Sequence, residues 1–357
     1  MKLSLLAAEL GLKALPEDKD ITFITDNSAK VCDGSIFVCI EGKHFDGHTK
    51  AAEALENGAA AVVVQKDMGL DRQLLVDDTR AAYTKLCAAF YSHPEQKLDI
   101  IGITGTNGKT TTSTLVYELL AKTFPGKTHL CGNIGIPLCE TVLENGLMEE
   151  GGHYIALEIS NFQLVNIDRF RPEAAVILNL TPDHVDFMGS LDNYYKSKTE
   201  VYRNMSGSDL FLLNADDPVL AEYTAKYPVN CTVRTFSTDR SDTDSCVSGG
   251  YVCVNGEKVL PLDLIKIIGK HNLQNIIVAV SIAKAFGVTN EDICSVIADF
   301  RGVEHRIEFV RELNGVKYYN DSKGTNTDAT VTALKAFDKG VILLVGGFEK
   351  GLAMDDV

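Results

Sequence analysis

The stretch Asp99-Ile-Ile-Gly-Ile-Thr-Gly-Thr-Asn-Gly-Lys-Thr-Thr-Thr-Ser-Thr-Leu115 decides how the rest of the chain is read. It opens with a β-branched run suited to a buried strand and passes through a glycine-rich turn. From Thr112 to Ala121 it sets apolar residues at helical spacing. Strand, glycine turn and helix in that order form a phosphate cradle. Backbone N–H groups from Gly105, Thr106, Asn107 and Gly108 through Thr110 and Thr111 converge with the positive end of the helix, Lys109 adds a full charge, and Thr110 offers a hydroxyl for Mg²⁺. This chemistry calls for a nucleoside triphosphate. The strict eight-residue form of the motif has glycine where this chain has Ile103, with Gly102 and Gly105 on either side.

A chain of 357 residues, 45% hydrophobic and 23% charged, is globular and long enough for two or three domains. Its net charge of -15 argues against a nucleic-acid partner, which demands clustered Lys and Arg. The nine cysteines are scattered without a Cys-x-x-Cys pair and read as reduced, mostly buried thiols of a cytoplasmic protein. Glu9 interrupts the short apolar run at the N-terminus, whose period is that of an amphipathic helix, so neither a signal peptide nor a membrane span is expected.

The expected fold class is α/β. Residues 1–98 read as a small α/β domain: a strand over Ser35–Ile40, a helix from Thr49 to Asn57 ended by Gly58, and a strand from Ala59 to Gln65. The loop Glu41-Gly-Lys-His-Phe-Asp-Gly-His48 lies at the carboxyl end of a strand, where open sheets hold ligands, and offers Lys43, His44 and His48 to an anion or a ring.

Residues 99–302 read as a central domain on a parallel sheet. Its expected strands are the motif strand, Tyr154–Ser160, Ala174–Leu180 and Leu210–Asp217, with a tight turn at Gly132–Pro137. Asp192–Asn204 is a helix that carries Tyr194 and Lys198 on one face. Residues 237–250 read as a loop or turn insertion, and Gly269–Asn275 opens an apolar helix running to Phe286. From 303 a third unit begins, with a strand at Lys317–Asn320, a helix to Phe337 and a strand at Val341–Val345. A two-stranded βαβ of this size cannot bury both faces of its sheet, so the sequence is expected to be a fragment of a longer chain.

Four stretches converge on one chemistry: the cradle with Lys109 and Thr110, a carboxylate at Glu158, an imidazole at His184, and Lys198 on its helix. Glu158 and His184 come off strands near the motif strand, where both can reach a metal beside a γ-phosphate.

With Gly132-Asn-Ile-Gly135, Glu158-x-Ser-x-Phe-Gln-Leu164, Asn179-Leu-Thr-x-Asp-His184, Tyr194-x-x-x-Lys198, Gly269-x-His-Asn-x-x-Asn275, His305-Arg-x-Glu308 and Asn320-Asp-Ser-Lys-x-Thr-Asn326, the chain resembles the Mur ligases, over nearly its whole length. These are ATP-dependent amide-forming enzymes of peptidoglycan precursor synthesis. The resemblance implies a three-domain architecture with a central P-loop sheet and a C-terminal Rossmann-like domain, here incomplete. From Gly102 onward the motifs look most like the branch that adds D-glutamate to UDP-N-acetylmuramoyl-L-alanine through an acyl phosphate. The first domain, with Asp46-Gly47-His48, looks instead like the uridine-binding domain of the branch that adds a diamino acid. Where that branch reads Asp-Ser-Arg, this chain has Asn27-Ser28-Ala29, so an expected arginine is missing; Asn161 likewise stands where the family has serine.

The resemblance further implies ATP and two Mg²⁺ ions, held by Thr110, Glu158, His184 and a carbamylated Lys198. Asn272, Asn275, Arg306, Asp321 and Lys323 are implied at the nucleotide, Asn133 beside the reacting substrate, and Thr325 and Lys350 at the incoming amino acid. Ser28, Lys43, His44, Asp46, Gly47 and His48 are implied at the UDP-linked substrate. Two further readings stay open: a diamino-acid-adding ligase, and a nucleotide-binding fragment without catalysis.

Overall fold

The structure is a computed structural model that describes residues 1–42, 45–93, 96–148, 151–183, 185–324, 327–338 and 340–346. The chain divides into two compact units. One holds Met1–Lys97 and Asn166–Phe170 with a short segment starting at Gly146, and the other starts at Leu98 and contains the glycine-rich motif.

In the first unit, strands β1 (Phe23–Thr25), β2 (Ser35–Val38), β3 (Ala61–Val64) and β4 (Gln73–Leu75) lie in that order, all parallel. Every residue of β2 and β3 is buried, because helices cover both faces. Ile36, Val38, Ala61 and Val63 face Leu3, Leu6 and Leu86 of the flanking helices, whereas Phe37, Val62 and Val64 face Ala51 and Ala54. Period-2 alternation thus persists inside strands that look uniformly apolar. The expected βαβ is present, its helix (Ala51–Glu56) preceded by a 3₁₀ turn at Gly47–Lys50. β1 and β4, three residues each, are too short to register as a period. The helix Thr79–Phe90 is capped by Asp78, whose carboxylate accepts the N–H of Arg80 and Ala81, a cap worth about 1 kcal/mol.

The second unit is built on nine strands: β5 (Asp99–Thr104), β6 (Thr128–Gly132), β7 (Tyr154–Glu158), β8 (Ala174–Ile177), β9 (Gly207–Asn214), β10 (Cys231–Phe236), β11 (Ser245–Ser248), β12 (Tyr251–Val254) and β13 (Glu257–Pro261). Their order is β13-β12-β11-β10-β9-β8-β5-β7-β6, parallel from β6 to β11 and antiparallel over the last two pairs. The motif strand therefore sits between β7 and β8, whose carboxyl ends open beside the glycine turn. One face is covered by the helices Lys109–Thr123, Lys270–Ala285 and Asn290–Asp299, with Leu115, Val116, Leu119 and Leu120 packed among Ile276, Ile277 and Val280. Truncating any one of these leucines to alanine would cost about 2–5 kcal/mol.

One sequence expectation is sharpened and one corrected. Of the loop or turn insertion expected at residues 237–250 the structure has the turn: β11 lies within them and turns through Gly249 and Gly250, both at positive φ, into β12, so the sheet is extended by a hairpin. The Ser/Asp-rich composition hid this, although a Gly-Gly pair between two β-prone runs is itself a hairpin signal. The third unit does not contain the expected parallel βαβ. The strand found as β15 (Val316–Asn320) pairs antiparallel with β14 (Glu308–Leu313) across an Asn314-Gly315 turn. The helix Thr327–Leu334 follows, and Val341–Val345 forms no strand. Ile342 and Leu344 are each 93% exposed. A β-branched run becomes a strand only where a neighbour completes its ladder, and no such neighbour stands beside this segment among the described residues.

Candidate nucleotide-phosphate site

The glycine turn is shaped by two positions of positive φ, Gly105 at 145° and Gly108 at 87°, which are costly for a side-chain-bearing residue. A Cβ on Gly108 would also lie 2.5 Å from Asn275 Oδ1. Ile103, by contrast, is a fully buried residue of β5 with Glu158 as its β7 register partner. The departure from the strict pattern thus falls in the strand and leaves the turn intact. The helix starts at Lys109 with Gly108 at its cap, so its first N–H groups lack intrahelical acceptors and face outward with the positive end of the dipole.

Around this turn the expected polar residues meet. Glu158, at the end of β7 and 3% exposed, accepts the Thr110 hydroxyl at 2.9 Å on Oε2 and the Asn133 side-chain amide at 2.9 Å on Oε1. The backbone closes the same corner: Asn133 N–H donates to the Glu158 carbonyl at 2.8 Å, and a Cβ on Gly132 would come within 2.2 Å of that oxygen. Lys109 Nζ donates to the carbonyls of Gly105 at 2.9 Å and Thr106 at 2.8 Å. Lys198, 1% exposed, reaches the same Gly105 carbonyl at 2.9 Å, with its Nζ 4.7 Å from the centre of the Tyr194 ring. The Tyr194 hydroxyl lies 3.2 Å from Thr106 Oγ1. Burial pulls the Lys109 ammonium below the ordinary lysine value, opposed by the Glu158 charge. Lys198 is pulled well below it, by burial first and then by the charge on Lys109.

β8 approaches the turn from the other side. Asn179, two residues past its end, accepts the N–H of Thr106 at 3.1 Å and of Asn107 at 2.8 Å on its side-chain Oδ1, and returns its amide to the Asn107 carbonyl at 3.0 Å. His184, further along the same segment, lies outside the described residues, as do Lys43, His44, Thr325 and Lys350.

A cleft beside the turn is lined by Asn107, Gly108, Thr111, Asn272, Asn275, Arg306 and Asp321, which brings the implied nucleotide residues together. Asn272 donates to the Ile268 carbonyl at 2.7 Å, and Asp321, raised by burial, accepts the Ile307 N–H at 3.1 Å. Lys323 does not line this cleft; its side chain is exposed and its N–H is bonded to the His305 carbonyl. The sequence reading missed Asn179, His271 and Gln274, which also line the cleft. Burial, reinforced by the Arg306 charge, pushes the His271 imidazole down to about 4, so it is neutral at physiological pH. The signal was present, since His271 stands inside the Gly-x-His-Asn run.

In the first unit, Ser28 opens a 3₁₀ turn capped by Asn27, which accepts the Ala29 N–H at 3.0 Å. Asp46 and His48 brace each other: the His48 Nδ1 meets Asp46 Oδ1 at 2.6 Å, and its Nε2 accepts the Gln65 N–H at 3.1 Å. The His48 backbone N–H, donating to Asp46 Oδ1 at 3.0 Å, and then the His48 ring hold the Asp46 carboxyl down at about 2. With both nitrogens engaged and 3% exposure, His48 supports the loop from within; Asp46 Oδ2 faces Lys66 at 3.4 Å. Gly47 is obligatory for space, since a Cβ there would lie 2.9 Å from the Ile40 nitrogen.

Residues 103–283 match the Mur ligase middle domain and residues 20–95 the Mur ligase family catalytic domain. The chain is 38% identical over 304 residues to UDP-N-acetylmuramoylalanine--D-glutamate ligase of Thermoanaerobacter pseudethanolicus, covering 84% of this chain and 65% of that protein. It is 40% identical over 258 residues to the Bacillus subtilis protein of that name, covering 72% and 56%. The chain thus spans less than two thirds of the length of these relatives. Its fold is similar to that of a UDP-N-acetylmuramoyl-L-alanyl-D-glutamate--2,6-diaminopimelate ligase, with a TM-score of 0.72 at 21% identity over 94% of this chain and 74% of that one. It is also similar to a MurF ligase from Thermotoga maritima solved in complex with ADP, with a TM-score of 0.60 at 24% identity over 88% of this chain and 74% of that one. By the extent of the middle-domain match, the chain belongs to the Mur ligase family.

Proposed function

We propose that the chain acts in an ATP-dependent amide ligase of peptidoglycan precursor synthesis, in the cytoplasm, joining D-glutamate to UDP-N-acetylmuramoyl-L-alanine. The observation that carries this reading is the meeting of Lys109, Thr110, Glu158 and Lys198 around Gly105 at the start of a helix. A carboxylate is a poor electrophile. An oxygen of the acceptor carboxylate attacks the γ-phosphorus of ATP and ADP departs, giving an acyl phosphate; the amine of D-glutamate then attacks the acyl carbon, inorganic phosphate leaves, and the amine releases a proton.

The first N–H groups of the helix Lys109–Thr123 hold the phosphates, and Lys109 turns from the Gly105 and Thr106 carbonyls toward them. Asn272, Asn275, Asp321 and Arg306 bind the nucleotide from the cleft, with Lys323 alongside, and Asn133 orients the acceptor beside Glu158. Thr325 and Lys350 are assigned to the incoming amino acid. The loop around Asp46, with Ser28, is assigned to the UDP-linked substrate.

The Thr110 hydroxyl against the Glu158 carboxylate is a set of hard oxygens that suits Mg²⁺, which takes few protein ligands and completes its shell with phosphate and water. Thr110, Glu158, His184 and Lys198 would hold two such ions, which when bound neutralise phosphate charge. Lys198, desolvated and held on the Gly105 carbonyl, is a fit site for carbamylation, which would turn it into an anionic ligand.

The test is isotope exchange between ADP and ATP dependent on UDP-N-acetylmuramoyl-L-alanine, which reads the phosphorylation half-reaction alone, followed by ADP release with D-glutamate, lysine or diaminopimelate. Acceptor-dependent exchange and a preference for D-glutamate are expected. ADP release with a diamino acid but not D-glutamate overturns the specificity, and nucleotide binding without exchange overturns the enzyme.

A further inference from the structure

We propose that Asn179 is a positioning residue that divides the glycine turn into a half pinned to the sheet and a half left for phosphate. The inference rests on reading the turn as an ATP cradle and names a residue to which that reading gave no part. Regular pairing of β5 with β8 ends at Thr104 and Ile177, and one further ladder bond runs from Leu178 N–H to the Thr104 carbonyl at 2.9 Å. Beyond that point the chain at Gly105 turns away with φ 145°, a path that brings a Cβ there within 3.0 Å of Leu178 Cβ.

The Asn179 side chain carries the ladder past its last backbone bond, which runs from Thr106 N–H to the Asn179 carbonyl. Its Oδ1 receives Thr106 N–H at 3.1 Å and Asn107 N–H at 2.8 Å, and its Nδ2 donates to the Asn107 carbonyl at 3.0 Å. The Thr106 N–H is shared with the Asn179 carbonyl at 3.1 Å, and the Thr106 hydroxyl donates to the Thr181 carbonyl at 3.0 Å, so the pin is fixed from two residues of one segment. The N–H groups of Thr106 and Asn107 are therefore turned to Asn179 and away from an anion. Anion binding falls to the donors that begin at the helix cap, Gly108 onward, which correct the broader assignment of the whole turn. Amide suits this position because it offers acceptor and donor together; a carboxylate keeps the first and loses the second.

The test uses the full chain with ADP and adenosine as probes. Asn179→Ala removes an acceptor shared by two N–H groups, so ADP affinity is expected to fall about thirtyfold while adenosine affinity changes less than about threefold. Residue-resolved hydrogen exchange at the Asn107 amide is expected to speed up about tenfold or more in Asn179→Ala and to recover in Asn179→Asp, which keeps the acceptor. Equal losses for ADP and adenosine make Asn179 a direct ligand contact and overturn the positioning role. Unchanged ADP affinity, or no recovery of exchange protection in Asn179→Asp, overturns it as well. Failure of the unmodified chain to bind ADP overturns the cradle itself and is distinguished by being independent of the variants.

Discussion

The two ends of the nine-stranded sheet both bury charge, and they do so differently. At the carboxyl end, Lys109 and Lys198 share the Gly105 carbonyl while Glu158 is held between Thr110 and Asn133. At the amino end, Asp99, Glu173 and Asp209 crowd together; Arg171 pairs with Asp209 at 2.6 Å, and Glu173 accepts the Ile100 N–H at 2.6 Å. His129 and His153 meet nearby at 3.2 Å. The carboxyl end gathers around the glycine turn and the uncapped start of its helix; the amino end has its polar atoms directed at neighbours in the protein. Buried charge at the first end is therefore expected to matter to chemistry, and at the second to pH-dependent stability.

The sharpest way to break this contrast is Glu158→Gln. Glutamine preserves the shape, can accept from Asn133 and can meet the Thr110 hydroxyl, yet removes the negative charge. Acceptor-dependent ADP–ATP exchange is expected to fall by at least about 10²-fold with the thermal midpoint unchanged. Unaltered exchange would make Glu158 a structural partner. Lys198→Met replaces a desolvated amine by an apolar side chain of similar length. Exchange is expected to drop by about 10²-fold while the melting temperature, measured by calorimetry, stays within about 3 °C of the parent or rises, because removing both the charge and its desolvation is close to neutral. A collapse in stability would show that Lys198 is held for the fold.

Much of this was legible in the sequence because the physics was local. The motif strand, turn and helix are specified by residues within one stretch, and Gly105 and Gly108 turn out to be the positions that require positive φ. Glu158 could be placed at a strand end because β7 is a continuous apolar run. What stayed hidden depends on partners distant in sequence. Val341–Val345 has strand composition but lacks a ladder, and β14 became visible only through its pairing with β15. Asn179 stood inside a recognised motif, yet its role comes from a turn more than seventy residues earlier. His48 offered two ring nitrogens on paper; both are engaged by Asp46 and Gln65.

At the amino end the expected effects are smaller and depend on pH. Burial, aided by Asp99 and Asp209, pushes the Glu173 carboxyl from 4.5 up to about 7 against the bond from Ile100. The folded state then holds a proton that the unfolded chain has released, so stability falls as pH rises from about 4.5 to about 7 and the full penalty remains above that. Glu173→Gln is expected to raise the melting temperature by about 2 °C at pH 8 and to have little effect at pH 4.5. A constant difference at both values would place the effect in packing.

The histidine pair runs the other way and gives the smallest effect. His129 is pulled below its usual value by burial and by His153, so the unfolded chain binds the proton more readily, and stability is lost as pH falls through 6.5. Neutral imidazoles can share the 3.2 Å contact, one donating and the other accepting; protonating His129 turns it into donor and charge beside a buried neighbour. His129→Gln keeps a donor and an acceptor without a titratable ring. Its melting temperature is expected to match the parent at pH 8 and to exceed it by about 1 °C at pH 5.5, where the parent bears the cost of charging the ring. An equal response to acid in both proteins would move the acid sensitivity to the carboxylates and leave the histidines as simple packing.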